Sequence, residues 1–204
     1  MKYFSVIIPT MWLSDKLIPM LNLYEKSLYV KEVLIINNDI TKTPYLSSYT
    51  KVSIYTKGKN IYVNPAWNWG VSLANYNIIL ANDDIYIEKI DEVLELISEC
   101  DFDIVGVNIN KQEGDMQIKA LNHWPSNSYG CFMYVRNYKH IPDELLIWYG
   151  DRILFKYNKR KGRLYNSGII TNPSTTINSD SIFRKVIGRN DIINFNRLLK
   201  ENKI

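Results

Sequence analysis

The chain has 204 residues, 46% hydrophobic and 23% charged, which suits one domain with a real core and excludes a disordered composition. Its net charge of +4 favours an anionic partner: a nucleotide diphosphate, nucleic acid or an anionic membrane surface. Two cysteines, Cys100 and Cys131, make no disulfide framework and have no metal-ligand spacing, so a reducing cytoplasm is the expected compartment.

Tyr3 to Ile8 is β-branched and apolar and is stopped by Pro9, the pattern of a buried strand. It is too short for the apolar region of a signal peptide, and far short of a membrane span of about 20 residues. Leu17, Met20, Leu21 and Tyr24 recur at helical spacing. Val33 to Ile36 is a second apolar run, ended by the polar turn Asn37-Asn38-Asp39. Val52 to Tyr55 predicts a third strand, with Gly58 in the turn after it. Asn64-Pro65 opens a helix, proline being suited to a first helical position, and Trp67 to Leu73 carry it towards Asn75. Asn77 to Leu80 is a fourth strand and runs directly into Asn82-Asp83-Asp84. Ile90, Val93, Leu94 and Ile97 share one face of the next helix, and Phe102 to Val107 is a fifth strand.

Beyond residue 107 the pattern loosens. A strand is expected at Cys131 to Val135, a helix from Asp151 to Asn158 and another from Ser181 to Lys200. The basic run from Lys156 to Arg163 reads as a solvated helix end or as a phosphate or acceptor contact. Continuous apolar strands alternating with helices argue for a mostly parallel sheet covered on both faces. The expectation is a single α/β domain over residues 1–204, with a nucleotide-binding half in 1–107 and an acceptor half in 108–204.

Ligands of such sheets bind beyond the carboxyl ends of the strands. Three polar clusters stand there: Pro9-Thr10, Asn37-Asn38-Asp39 and Asn82-Asp83-Asp84. Adjacent carboxylates repel unless they are solvated or share a cation. Mg²⁺ and Mn²⁺ take oxygen ligands, commonly one or two carboxylates plus substrate phosphates. A helix N-cap before Ile87 accounts equally for Asn82-Asp83-Asp84.

These residues resemble family 2 glycosyltransferases of the GT-A fold, inverting enzymes that use nucleotide sugars. Ser5-Val6-Ile7-Ile8-Pro9-Thr10 looks like their opening strand, and Val33 to Asp39 like their second. The stretch from Asn64, Asn68 and Gly70 through Ala74 to Asn82 looks like their helix-to-strand signature ending in the metal motif, often written DxD. Trp148-Tyr149-Gly150-Asp151-Arg152-Ile153-Leu154, with Gly162 beyond, resembles the late helix start that carries the catalytic base. The likeness spans residues 3–175. It implies Asp151 as base and Asp84, with Asp83, as ligands of Mn²⁺ or Mg²⁺. It places Pro9, Thr10, Asn37, Asn38, Asn64, Asn68, Asn82 and Asp83 against the donor. Apart from the resemblance, Trp124 and Trp148 could stack on a sugar ring and Gly130 could line the acceptor pocket, although core packing is the safer reading of most of the aromatics.

Two departures stand out. Asn37 and Asn38 replace the usual second-strand aspartates, although an asparagine can still pair with a uracil edge. Thr171-Asn172-Pro173-Ser174-Thr175 stands where a late histidine often serves the metal.

The leading expectation is a metal-dependent transferase moving a sugar, with inversion, from a nucleotide sugar such as a UDP-sugar. Its acceptor would be a hydroxyl on a glycan, a lipid-linked molecule or a nucleic acid. A sugar-nucleotide nucleotidyltransferase would need a glycine-rich phosphate loop after the first strand, and Pro9 to Ser14 contains no glycine. A nucleotide- or nucleic-acid-binding module without transferase activity is the alternative. The sugar, the acceptor and the oligomeric state are not legible in the sequence.

Overall fold

The structure is a computed structural model and describes residues 2–42, 44, 46–110, 113–121, 130–171 and 186–204. Its elements in chain order are β1 (Phe4–Thr10), α1 (Leu17–Lys26), β2 (Val30–Asn37), β3 (Val52–Thr56), α2 (Val63–Leu73), β4 (Asn77–Ala81), β5 (Ile85–Tyr86) and α3 (Ile90–Glu99). There follow β6 (Ile104–Val107), β7 (Gln117–Ala120), β8 (Phe132–Val135), α4 (Gly150–Tyr157), β9 (Lys161–Tyr165), β10 (Ile170–Thr171) and α5 (Gly188–Lys200).

Eight strands form one sheet in the order β3-β2-β1-β4-β8-β6-β9-β7. Parallel pairs join β3, β2, β1 and β4, and another joins β6 to β9. Only β8 and β7 run against the rest. Chain order reverses at β1, since β2 and β3 lie on one side and β4 on the other. Such a switch point opens a crevice beyond the carboxyl ends of the two diverging strands. Here those ends are Thr10 and Ala81, and Asn82 follows the second.

Every residue of β1 is buried, because helices cover both faces of the sheet. Phe4, Val6 and Ile8 face a layer containing Leu17, Met20, Leu21 and Tyr24 of α1 and Ile90, Val93, Leu94 and Ile97 of α3. Ile7 faces the opposite layer, which holds Ala66 and Trp67 of α2, Ile153 to Phe155 of α4, and Phe195 and Leu198 of α5. The period-2 alternation of the strand thus divides the core into two layers.

The halves expected from the sequence share this sheet: β8, from the later half, lies between β4 and β6 of the earlier one. The basic run also differs from the expected helix end. Lys161 to Tyr165 is strand β9, with Gly162 and Leu164 buried and Lys161, Arg163 and Tyr165 alternating with them. A strand results because β6 offers a parallel partner there, and tertiary pairing overrides local propensity. Arg160 precedes it, bonded to Asp101 and, at 2.9 Å, to Asp103. The expected C-terminal helix begins at Gly188, and residues 181–185 of that expectation lie outside the described residues. No helix among the described residues is long and apolar enough to cross a membrane.

Candidate active site

The carboxyl ends of β1, β2 and β4 are stitched together by side chains. The Thr10 hydroxyl donates to Asp83 Oδ2 at 2.6 Å and accepts the Trp12 N–H at 2.8 Å. The Trp12 indole N–H donates to Asn37 Oδ1 at 3.0 Å, which also accepts the Asp39 N–H at 2.9 Å. Trp12 holds a left-handed backbone, φ 58°, a conformation that is uncommon without glycine and concentrates at functional sites. The Asn38 amide bridges to the next segment, accepting from Ile61 N–H at 3.0 Å and donating to Tyr62 O at 3.2 Å. The expected donor residues Pro9, Thr10, Asn37, Asn38, Asn82 and Asp83 therefore share one rim.

Asp84 is 8% exposed, and its Oδ1 is buried with no hydrogen-bond partner. Burial, and then the neighbouring Asp83 charge, push its carboxyl up to about 6, against the pull of Asn82 and Lys16. Burial also raises Asp83, although the Thr10 hydroxyl opposes it. A buried oxygen lacking a partner is costly and needs an external one. Among the described residues no group of three His, Cys, Asp or Glu side chains could hold a metal ion. Asp83 and Asp84 are the residues here that could hold a hard cation, which would need water or ligand phosphates to complete its shell.

Asp151 comes to this rim from the far end of the sequence. A Cβ at Gly130 would lie 2.9 Å from Asp151 Cβ and 3.4 Å from its Oδ2, so the bare Gly130 lets that carboxylate lie against the start of β8. The next residue, Cys131, accepts the Asn82 N–H on its carbonyl at 2.8 Å. Its thiol is pushed up to about 12, first by burial and then by the carboxylates of Asp84 and Asp151. Both acidic groups therefore lie near enough to Cys131 to act on its thiol, a neighbourhood that no spacing in the sequence announced.

Asn64 and Asn68 lie on α2. Asn64 Nδ2 donates to Leu145 O and Trp148 O, both at 3.1 Å, while its Oδ1 is buried without a partner. Asn68 donates to Ile141 O at 2.8 Å and accepts from the Tyr138 hydroxyl at 2.7 Å and from Ile141 N–H at 3.0 Å. In the structure both amides hold main chain of the segment leading to Asp151. Trp148 packs its ring on Gly188, where a Cβ would collide with it. Trp124 lies outside the described residues, as do Asn172 to Thr175. Thr171 pairs with Ile85, the residue after Asp84.

No protein-family model matches the chain, and no curated protein sequence matches it. Among solved structures it is similar to the crystal structure of S. aureus TarS, with 16% identity and a TM-score of 0.57. The match covers 80% of this chain and 35% of that one, so the chain spans about a third of the length of the structure it resembles. The likeness shows the fold. This is a mixed α/β domain with a largely parallel eight-stranded sheet flanked by helices, consistent with the expected GT-A architecture.

Proposed function

We propose that the protein transfers a sugar, with inversion, from a nucleotide sugar, a UDP-sugar in the first instance, to an acceptor hydroxyl. The observation that carries this reading is that Asp84, with its unpartnered buried oxygen, follows β4, whose next residue Asn82 bonds Cys131, while Asp151 packs against the adjacent Gly130. The GT-A fold supports it. In this reading the rim of Thr10, Asn37, Asn38, Asn82 and Asp83 receives the nucleotide diphosphate. Asp84, with Asp83, holds Mn²⁺ or Mg²⁺, which when bound supplies positive charge for a departing diphosphate.

Asp151 takes the proton from the acceptor hydroxyl as its oxygen bonds to the anomeric carbon, while the bond from that carbon to the diphosphate oxygen breaks on the opposite face. Asp151 is a first-turn acidic residue of α4, where the helix dipole favours its ionised form. Arg152 N–H donates to its Oδ1 at 2.8 Å, and Oδ2 lies on the side of Gly130.

The test is a panel of nucleotide sugars scored by thermal shift with and without Mn²⁺, followed by transfer assays on Asp151→Asn. A hundredfold ligand excess over Kd stabilises by about 2.7 kcal/mol. D151N should keep that shift and lose about 10²–10⁴ in transfer rate. No metal-dependent shift with any donor would overturn the transferase reading, and near-normal transfer by D151N would remove Asp151 as base.

A further inference from the structure

The segment that delivers Asp151 has no regular structure of its own: residues 146–149 are a run of bends between Leu145 and α4. Three successive main-chain N–H groups of this segment point at one side chain. Leu146 donates to Asp191 Oδ1 at 2.9 Å, and Ile147 and Trp148 donate to Oδ2 at 2.8 and 2.9 Å. Asp191 is in the first turn of α5 and is fully buried. No ion pair among the described residues involves it. A buried carboxylate without a cation is stable only if its oxygens are well supplied with donors, and among the described residues this segment supplies three.

The same helix fixes the segment at two further points. Phe195 stacks on Tyr149, ring centroids 4.2 Å apart and planes 13° from parallel. Tyr149, with φ 69°, is the left-handed residue that turns the chain into α4. Gly188 receives the Trp148 ring. From the other side, the Val63 and Asn64 N–H groups donate to Leu146 O at 3.0 and 2.9 Å.

We infer that Asp191 is the positioning residue for Asp151: by gathering the N–H groups of residues 146–148 it fixes where α4 starts, and so where the Asp151 carboxylate lies against Gly130. The inference rests on the transferase reading for its catalytic consequence, but not for its structural one. The bonds of Asp191 go to residues 146–148 and none goes to Asp84, Asp83 or Thr10, which stand at the ends of β1 and β4. Its loss should therefore separate transfer from donor binding, which general destabilisation would not do.

The experiment compares Asp191→Ala with Asp191→Asn, which is isosteric and retains an acceptor oxygen, in the full chain. Kinetics, Mn²⁺-dependent thermal shift with donor, amide hydrogen exchange and the carboxyl-carbon resonance of Asp151 are the readouts. Displacing a reacting group by about 1 Å can cost on the order of 10²-fold. The expected result is a fall in kcat of that order in D191A and a smaller fall in D191N. Donor KM and the donor-induced shift should stay within about threefold of wild type by the same reasoning. Exchange at Leu146, Ile147 and Trp148 should accelerate, and the Asp151 resonance should move. Folded variants with unchanged kcat, or a loss of donor binding in step with kcat, would overturn the positioning role. If wild type transfers no sugar, the transferase reading fails by itself. The exchange and Asp151 signals then still decide whether Asp191 places that carboxylate: unchanged signals reject it and altered ones retain it.

Discussion

The proposed donor rim and the helix proposed to carry the base are built in opposite ways. At the rim, each polar residue sits where a buried strand ends, and adjacent strands hold it: Thr10 reaches Asp83 because β1 and β4 are paired. At the head of α4, the segment that delivers Asp151 is held from outside rather than by regular structure of its own. Tyr149 gives no side-chain cap to that helix, and the segment before it is suspended between Asn64 of α2 and Asp191 of α5. The first arrangement is a property of the sheet, and the second a property of three helices meeting. Substitutions at the rim should therefore change binding, and substitutions around α4 should change transfer.

The sharpest way to break that comparison is the pair Asp84→Asn and Asp151→Asn. Removing an electrostatic group from such a site typically costs about 10²–10³ in rate. D84N should lose both metal-dependent donor stabilisation and transfer, whereas D151N should lose transfer alone. Thermal shift with Mn²⁺ and donor, run beside the transfer assay, checks this. Equal loss of donor binding in both variants would erase the distinction between the regions.

Gly150→Ala is the next largest. Its Cβ would collide with Asn64 Oδ1 and come within 2.9 Å of Ile141 Cδ1. Overpacking of this kind costs about 1–3 kcal/mol. The melting temperature should fall, and kcat should fall further than donor affinity does. Thr10→Val sharpens the other side. It removes a hydrogen bond to a carboxylate, worth about 1.5–3 kcal/mol, and unties Asp83 from β1. Titration calorimetry with donor and Mn²⁺ should show weaker binding, while transfer at saturating donor stays near wild type.

The smallest expected effect is on acid stability and belongs to neither region. Asp103 is desolvated, yet the hydrogen bonds and charge of Arg160 outweigh this and hold its carboxyl below the usual range. A lowered folded value means the stabilisation is complete above the unfolded carboxyl range, about 3.9, and is lost as pH falls through the folded value. With Arg160 about half exposed, solvent screens the pair and its contribution is small. Asp103→Asn should lower the melting temperature slightly at pH 7 and not at pH 2.5, so a constant difference would contradict the pairing.

Strands β1 and β2 were legible because doubly buried strands read as unbroken apolar runs, and α1 and α3 because their apolar residues recur on one face. The short strands β5, β7, β9 and β10 were not. Their residues carry little apolar signal, and each exists because a partner strand lies beside it. At the site, Asn82-Asp83-Asp84 was legible from its place after a strand. Asn64 and Asn68 drew attention by type, but their bonds to residues 141–148 could not be read from spacing.

By itself the sequence determined the α/β class, the buried strands and the acidic cluster at a strand end, because period and composition act over a few neighbouring residues. Only the tertiary structure decided that Asp84 and Asp151 both lie close enough to Cys131 to act on its thiol, and that Asp191 and Asn64 hold the segment before Asp151. Those relations are distances between residues far apart in the chain, set by how α2, α4 and α5 pack together on one face of the sheet.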